Sequence, residues 1–150
     1  MAFKLDTKEE SDIDKTIRIS EYLNPNAKQP INRGCDGIIF TYINGRGYVF
    51  ICEMKSGISH KKDYIQQFRN SYVFIKFINY ILDEFYDMKI NFLMRYILFD
   101  KKKNYGRTES NRKILPKKES YQGKDLYIYR IHHPNENRSL DIRLLEPLKD

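Results

Sequence analysis

The sequence has few cysteines and no long apolar run, and both shortages limit the class of protein. Its two cysteines, Cys35 and Cys52, cannot form a disulfide framework, which favours a reducing, cytoplasmic location. No stretch of roughly eighteen or more residues is apolar, so no transmembrane helix is expected. The basic stretch 101–124 lacks an amphipathic apolar face, so a membrane partner is not expected either. The start of the chain lacks the apolar core of a secretory signal. Neither a Walker phosphate loop nor a dinucleotide-binding glycine pattern occurs.

Apolar residues are nevertheless abundant enough for one core. The chain has 150 residues, 41% of them hydrophobic and 14% aromatic, which predicts a single domain over 1–150. The second half of a long helix at 60–86 is apolar nearly all round, so we expect it to be deeply packed. The elements together predict an α/β domain, a central mixed sheet flanked by helices. Apolar periodicity predicts helices at 8–23 and 60–86, strands at 35–43, 47–54, 90–99 and 125–131, and a short strand or packed tail at 139–148.

The positive charge is concentrated in one segment. Between Lys101 and Lys124 there are nine Lys or Arg and two Glu, an excess of seven that equals the net charge of the whole chain, +7. Such clustering is typical of a polyanion partner, and nucleic acid leads the candidates. The alternative is a solvated loop whose charges only aid solubility. We expect a basic loop at about 100–124 that contacts phosphates through Lys101, Lys102, Lys103, Arg107, Arg112, Lys113, Lys117 and Lys118.

Residues 52–57, CEMKSG, place opposite charges two apart at the end of an apolar strand. Residues i and i+2 of a strand share a face, so Glu53 and Lys55 are expected to point the same way. Asn44-Gly45 is a strong signal for a two-residue hairpin turn. A regular register about that turn brings Asp36 opposite Glu53. Four acid-x-Lys pairs occur in the chain, and this one alone ends a hairpin strand with a carboxylate opposite.

This arrangement of charges has two interpretations. Two carboxylates held close together repel unless a cation lies between them, and oxygen ligands favour Mg²⁺ or Mn²⁺. Phosphodiester hydrolysis needs a metal, an activated water and a positive group near the scissile phosphate, and Lys55 can supply the last. The competing interpretation is an ion pair of Lys55 with Glu53 or Asp36 that caps the sheet edge.

The stretches CDGIIF and YVFICEMKSG resemble the PD-(D/E)XK nuclease superfamily, which includes restriction endonucleases and Holliday-junction resolvases. The resemblance covers about residues 8–80. It implies a restriction-endonuclease-like fold in which Asp36 and Glu53 bind Mg²⁺ or Mn²⁺ and Lys55 assists the attacking water. The main-chain carbonyl of Met54 is a candidate third ligand. A glutamate from an upstream helix is also implied, and Glu10 and Glu21 are both candidates for it.

Several positions near the motif depart from the family or are accessory to it. Cys35 stands where the family has a proline. Some members carry a glutamine on the helix after the lysine, for which Gln67, or its neighbour Gln66, is the candidate, although a polar helix face explains both glutamines equally well. Ser56 and His60 follow Lys55 closely enough to contact a phosphate, although a turn and a helix start explain them as well.

The resemblance and the basic segment together predict a Mg²⁺-dependent endonuclease. We expect it to hydrolyse phosphodiester bonds in nucleic acid, with DNA favoured over RNA, in a defence, restriction or recombination and repair system. The alternative is a nuclease-fold module that binds nucleic acid without cutting it, or a subunit of a larger complex. A second copy of the chain is a further candidate partner.

Overall fold

The computed structural model describes residues 2–3, 31, 33–57, 60–100, 114–132 and 145. The predicted helix at 8–23, with Glu10 and Glu21, lies outside these residues. So do residues 101–113 of the basic segment and all of the predicted 139–148 element except Leu145. The described residues form β1 (Ala2–Phe3), β2 (Gly37–Ile43), β3 (Arg46–Lys55), α1 (Lys61–Tyr86), β4 (Leu93–Asp100), β5 (Lys117–Tyr121) and β6 (Lys124–His132).

The strands form one mixed sheet in the order β1-β2-β3-β4-β6-β5. Strands β3, β4 and β6 are parallel to one another, and the remaining neighbours are antiparallel. Parallel neighbours need a crossover connection, and α1 supplies it between β3 and β4. The predicted α/β class with a central mixed sheet is therefore confirmed for the described part of the chain.

The β2–β3 hairpin has the register that its turn predicts. Asn44 and Gly45 both have positive φ, 50° and 76°, as a tight two-residue turn requires. Ile43 pairs with Arg46, and the regular ladder continues to Gly37 opposite Cys52. One residue further along the two strands, Asp36 and Glu53 lie level with each other.

The apolar core lies on both faces of β3, as its continuous apolar run predicts. On one face, Val49 and Ile51 pack in a cluster with Ile65 and Phe68 of α1. On the other face, Phe50 belongs to a second cluster. Because strand side chains alternate, Glu53 and Lys55 lie on the α1 face. Further members of the second cluster are Ile97, Tyr129, Ile131 and Leu145.

The prediction that the second half of α1 is deeply packed is wrong. After Ser71, Ile75 is the one fully buried residue of the helix, because in the described part of the chain the sheet covers a single side of it. Val73, Phe77 and Tyr80 are all more than half exposed. No helix in the described part of the chain is both long enough and apolar enough to cross a membrane.

The basic segment was expected to be a loop as far as Lys124, and its last part is instead strand β5. Gln122 and Gly123 take positive φ, 49° and 69°, and turn the chain from β5 into β6. Across this hairpin, Lys118 Nζ lies 2.7 Å from Asp125 Oδ2. Glutamine-glycine is a weaker turn signal than asparagine-glycine, and the lysines suggested a loop, so the strand was missed.

The hairpin turn generates a stability prediction. Gly45→Ala should lower the free energy of unfolding by about 1 kcal/mol, because an alanine is strained at a positive φ. Gly37→Ala is the matched control, since a Cβ there meets nothing within 4 Å and φ is not positive. Urea unfolding of the two variants and the wild type measures both effects. Equal stabilities of the two variants would contradict this account of the turn.

Candidate functional site

Asp36 and Glu53 lie side by side at the open end of the β2–β3 hairpin, as the sequence predicts. The main-chain N–H of Asp36 donates to Glu53 Oε2 at 3.3 Å. The main-chain N–H of Met54 donates to Asp36 Oδ2 at 2.6 Å. Each carboxylate therefore accepts a hydrogen bond from the backbone of the opposite strand, and these bonds fix the two acidic groups next to each other.

Lys55 completes a compact cluster of charges on the same face of β3. Its Nζ lies 2.5 Å from Glu53 Oε1. The Glu53 side chain is 1% exposed, whereas that of Lys55 is 24% exposed. The ammonium therefore neutralises a buried carboxylate and still reaches solvent, which is the position that a group facing a substrate needs.

The polar residues of α1 hold this cluster and the chain that precedes Asp36. Lys55 Nζ donates to Gln67 Oε1 at 2.8 Å, and Gln67 Nε2 donates to the carbonyl of Gly34 at 3.1 Å. Two neighbouring helix residues bind the same short segment. Asn70 Nδ2 donates to the carbonyl of Arg33 at 2.7 Å, and the N–H of Cys35 donates to Ser71 Oγ at 2.9 Å.

The structure thus brings Gln67, predicted as an accessory residue, into contact with Lys55. The roles of Asn70 and Ser71 were missed. Both are buried, at 7% and 0% exposure, on a helix face whose other residues are mostly apolar. Polar residues within the apolar arc of the helix were the available signal, because a buried polar group needs a hydrogen-bond partner.

Burial has a direct electrostatic consequence for Glu53. Desolvation raises the pKa of its carboxyl above the usual value for glutamate. The hydrogen bond from Lys55 opposes this rise, and the charge of Asp36 adds to it. Burial also raises the pKa of the Cys52 thiol to about 12, and that of the Cys35 thiol well above its ordinary value. Both cysteines therefore remain neutral thiols, as expected for small hydrophobic residues.

A second polar cluster, which the sequence did not reveal, lies beside the first. Lys55 is level with Asp100 on the neighbouring parallel strand β4. Arg130 of β6 donates to Asp100 Oδ2 at 2.8 Å and to Glu119 Oε1 at 3.1 Å. Arg130 also donates to the Tyr64 hydroxyl at 3.0 Å, and that hydroxyl donates to Glu119 Oε2. Three strands and α1 thus contribute to this network.

The two clusters form one row of polar groups near the carboxyl ends of β3, β4 and β6, on the face that α1 covers. Ligands of open α/β sheets bind outside the carboxyl ends of the strands. The row combines carboxylates with cationic groups, and Arg130 is tied to two carboxylates by its guanidinium. Lys55 is the cation at the hairpin end of the row, where its ammonium contacts Glu53.

Other residues predicted for the site are placed differently. Ser56 is exposed directly after β3, and His60 is exposed at the N-cap of α1, where its side chain makes no capping hydrogen bond. Lys117 and Lys118 are exposed on β5. Glu10, Glu21 and the remaining predicted phosphate-contacting residues lie outside the described part of the chain: Lys101, Lys102, Lys103, Arg107, Arg112 and Lys113.

The donor set at the hairpin end suits a hard divalent cation. Asp36 and Glu53 supply carboxylate oxygens. Among the described residues, no group of three or more His, Cys, Asp or Glu is found, so these two side chains are the acidic ligands that this part of the chain offers. Mg²⁺ keeps several waters and is commonly bound through one or two carboxylates. The carbonyl of Met54 lies on the same stretch of β3.

Comparisons with protein-family models, with curated proteins and with solved structures find no match for this chain. The resemblance to PD-(D/E)XK nucleases therefore depends on Asp36, Glu53 and Lys55 themselves and on their arrangement in the hairpin.

The raised pKa of Glu53 generates a prediction about pH. The folded state holds the Glu53 proton more tightly than the unfolded state, so the free energy of unfolding falls as pH rises between the two pKa values. Glu53→Gln removes this term. In metal-free buffer, the stability of the wild type relative to Glu53→Gln should therefore fall as pH rises from about 4, and level off above the folded-state pKa.

Urea unfolding of both proteins between about pH 4 and pH 8, with a chelator present, measures this difference. A difference that stays constant, or that grows in favour of the wild type with rising pH, would show that burial does not penalise the Glu53 charge.

Proposed function

We propose that the chain is a metal-dependent nuclease that hydrolyses phosphodiester bonds, with a core of the restriction-endonuclease-like type. The observation that carries this proposal is the convergence of Asp36, Glu53 and Lys55 at the open end of one hairpin. A hairpin followed by a crossover helix and a parallel strand is compatible with that fold type. The motif residues that the PD-(D/E)XK resemblance implies are all present and lie in contact through side chains or backbone.

Asp36 and Glu53 would hold Mg²⁺ or Mn²⁺, with the carbonyl of Met54 as a third ligand. Glu10 or Glu21 would complete the site through water. A bound cation relieves the penalty that burial places on the Glu53 charge, which is one reason why these residues fit a metal. When bound, such an ion lowers the pKa of a coordinated water and neutralises charge on the phosphate.

Lys55 supplies a positive group beside the carboxylates. An ammonium has three N–H donors. Among the described residues, Glu53 and Gln67 accept two of those of Lys55, which leaves the third for a water or a phosphate oxygen. The partial exposure of the Lys55 side chain allows that contact. Lys55 therefore orients the attacking water and stabilises the charge that grows on the phosphate in the transition state.

Gln67 positions this ammonium. Its amide joins Lys55 to the carbonyl of Gly34, two residues before Asp36. The lysine and one metal-binding carboxylate are thereby tied to the same turn of α1. A catalytic group must be held within a fraction of an ångström of its working position, and a contact of this kind provides that constraint.

The positive charge of the chain supports nucleic acid as the substrate class, and DNA is favoured over RNA only by the resemblance. The excess of seven positive charges lies in the segment 101–124. Strand β5 belongs to the last part of this segment and is the edge strand next to β6, which carries Arg130. Positive side chains along this segment would bind the phosphate backbone without reading its sequence.

A second candidate function is a nuclease-fold module that binds nucleic acid without cutting it. One observation favours it: both oxygens of Glu53 and one oxygen of Asp36 already accept hydrogen bonds within the protein. The cluster is therefore satisfied as a structural ion pair. Cleavage that depends on Mg²⁺ or Mn²⁺ separates the two functions.

Cleavage of supercoiled plasmid, single-stranded DNA, branched DNA and RNA in Mg²⁺ or Mn²⁺ tests the proposal. Asp36→Ala and Lys55→Ala should each lower the nicking rate by about 10²-fold or more, because each removes a group that acts on the metal, the water or the phosphate.

Lys89→Ala is the matched control for these two variants. Lys89 also follows an acidic residue by two positions, and its 82% exposed side chain lies 4.0 Å from Asp83. It lies near the turn of the β2–β3 hairpin, at the end opposite Asp36 and Glu53. This variant should cut at the wild-type rate. Nicking that survives Asp36→Ala or Lys55→Ala would overturn the proposed mechanism.

The structure also separates two neighbouring lysines of the basic segment. Lys118 forms an ion pair with Asp125, so its charge is already balanced. Lys117→Ala should weaken DNA binding and reduce the slope of log K against log salt by about 1, whereas Lys118→Ala should change both much less. Fluorescence anisotropy in a chelator measures this without cleavage. Equal losses for the two variants would contradict the assignment.

A further inference from the structure

The outward side of α1 carries an apolar stripe. It consists of Val73, Phe77 and Tyr80, which are 64%, 57% and 64% exposed. At roughly 100° per residue these three side chains fall within about 60° of the helix circumference. They lie opposite the core-facing residues such as Phe68 and Ile75. A contiguous exposed apolar surface of this kind is typical of an interaction site.

The stripe has charges of opposite sign at its two ends. Arg69 lies one turn before Val73, and Glu84 lies one turn after Tyr80, on the same side of the helix. A helix with a positive end, an apolar middle and a negative end is complementary to an antiparallel copy of itself.

Because of the spacing of these residues, each of them faces a suitable residue of the second copy. A two-fold axis between positions 76 and 77 places Arg69 opposite Glu84 of the partner subunit and Val73 opposite Tyr80 of the partner subunit. The two Phe77 side chains then meet beside the axis. Lys76 lies at the margin of the stripe, and its ammonium is turned toward Tyr72, 5.8 Å from the centroid of that ring.

We propose that this stripe is a homodimer interface in which two copies of α1 pack antiparallel. A two-fold interface uses the same patch on both subunits, which must therefore match itself, and this stripe does so in charge and in apolar contact. Antiparallel helices also bring the positive end of each helix dipole next to the negative end of the other. The inference is independent of the proposed nuclease function.

Sedimentation equilibrium of the full chain tests the interface. The wild type should approach twice the monomer mass of 18.1 kDa as its concentration rises. Phe77→Glu should remain a monomer, because it places two buried charges at the axis. Phe85→Glu is the matched control: Phe85 is 74% exposed on the same helix but lies off the stripe, so this variant should still dimerise. Far-ultraviolet circular dichroism checks that each variant is folded.

Charge reversal tests the antiparallel register. Arg69→Glu or Glu84→Arg alone should raise the dimer dissociation constant about tenfold or more, since each makes two symmetric pairs repulsive. The double variant should restore the wild-type constant. A chain that stays monomeric leaves this face to a different partner and overturns the proposal. A dimer that survives Phe77→Glu, or a double reversal that restores nothing, overturns it equally.

Discussion

A buried carboxylate must be compensated, and the compensation of Glu53 determines how the centre of this molecule is built. Its side chain is almost fully inaccessible to water, which by itself favours the neutral acid. Lys55 lies within contact distance on the same face of the strand, and the backbone of Asp36 donates a hydrogen bond from the opposite strand. Three parts of the chain are needed to place these groups: the turn at Asn44-Gly45, the end of β3 and the inner face of α1.

Helix α1 has two distinct sides that serve this arrangement. Its inner side combines apolar residues that pack on the sheet with Gln67, Asn70 and Ser71, which bind the chain leading to Asp36. Its outer side is apolar and unusually exposed in the second half. The helix therefore links the order of the charged cluster to the packing of the core, because a shift of the helix would disturb both.

Much of the fold could be predicted from local patterns, and the site depended on a single long-range pairing. The Asn44-Gly45 turn fixed the register that brings Asp36 level with Glu53, so the sequence was sufficient for that contact. The Arg130 network was not predictable, because it depends on which strands neighbour one another in a parallel sheet. The exposure of the second half of α1 was missed for a related reason: apolar composition indicates a preference for burial, and the available covering surface decides the outcome.

The central claim is that Asp36 and Glu53 hold a divalent cation beside Lys55. Titration of Mn²⁺ into the metal-free protein, followed by the loss of the electron paramagnetic resonance signal of the free ion, measures this directly. The account predicts a Mn²⁺ site in the wild type that is lost in Asp36→Asn, a variant that preserves the size of the side chain. Equal binding of Mn²⁺ by both proteins, or no binding by the wild type, would contradict it.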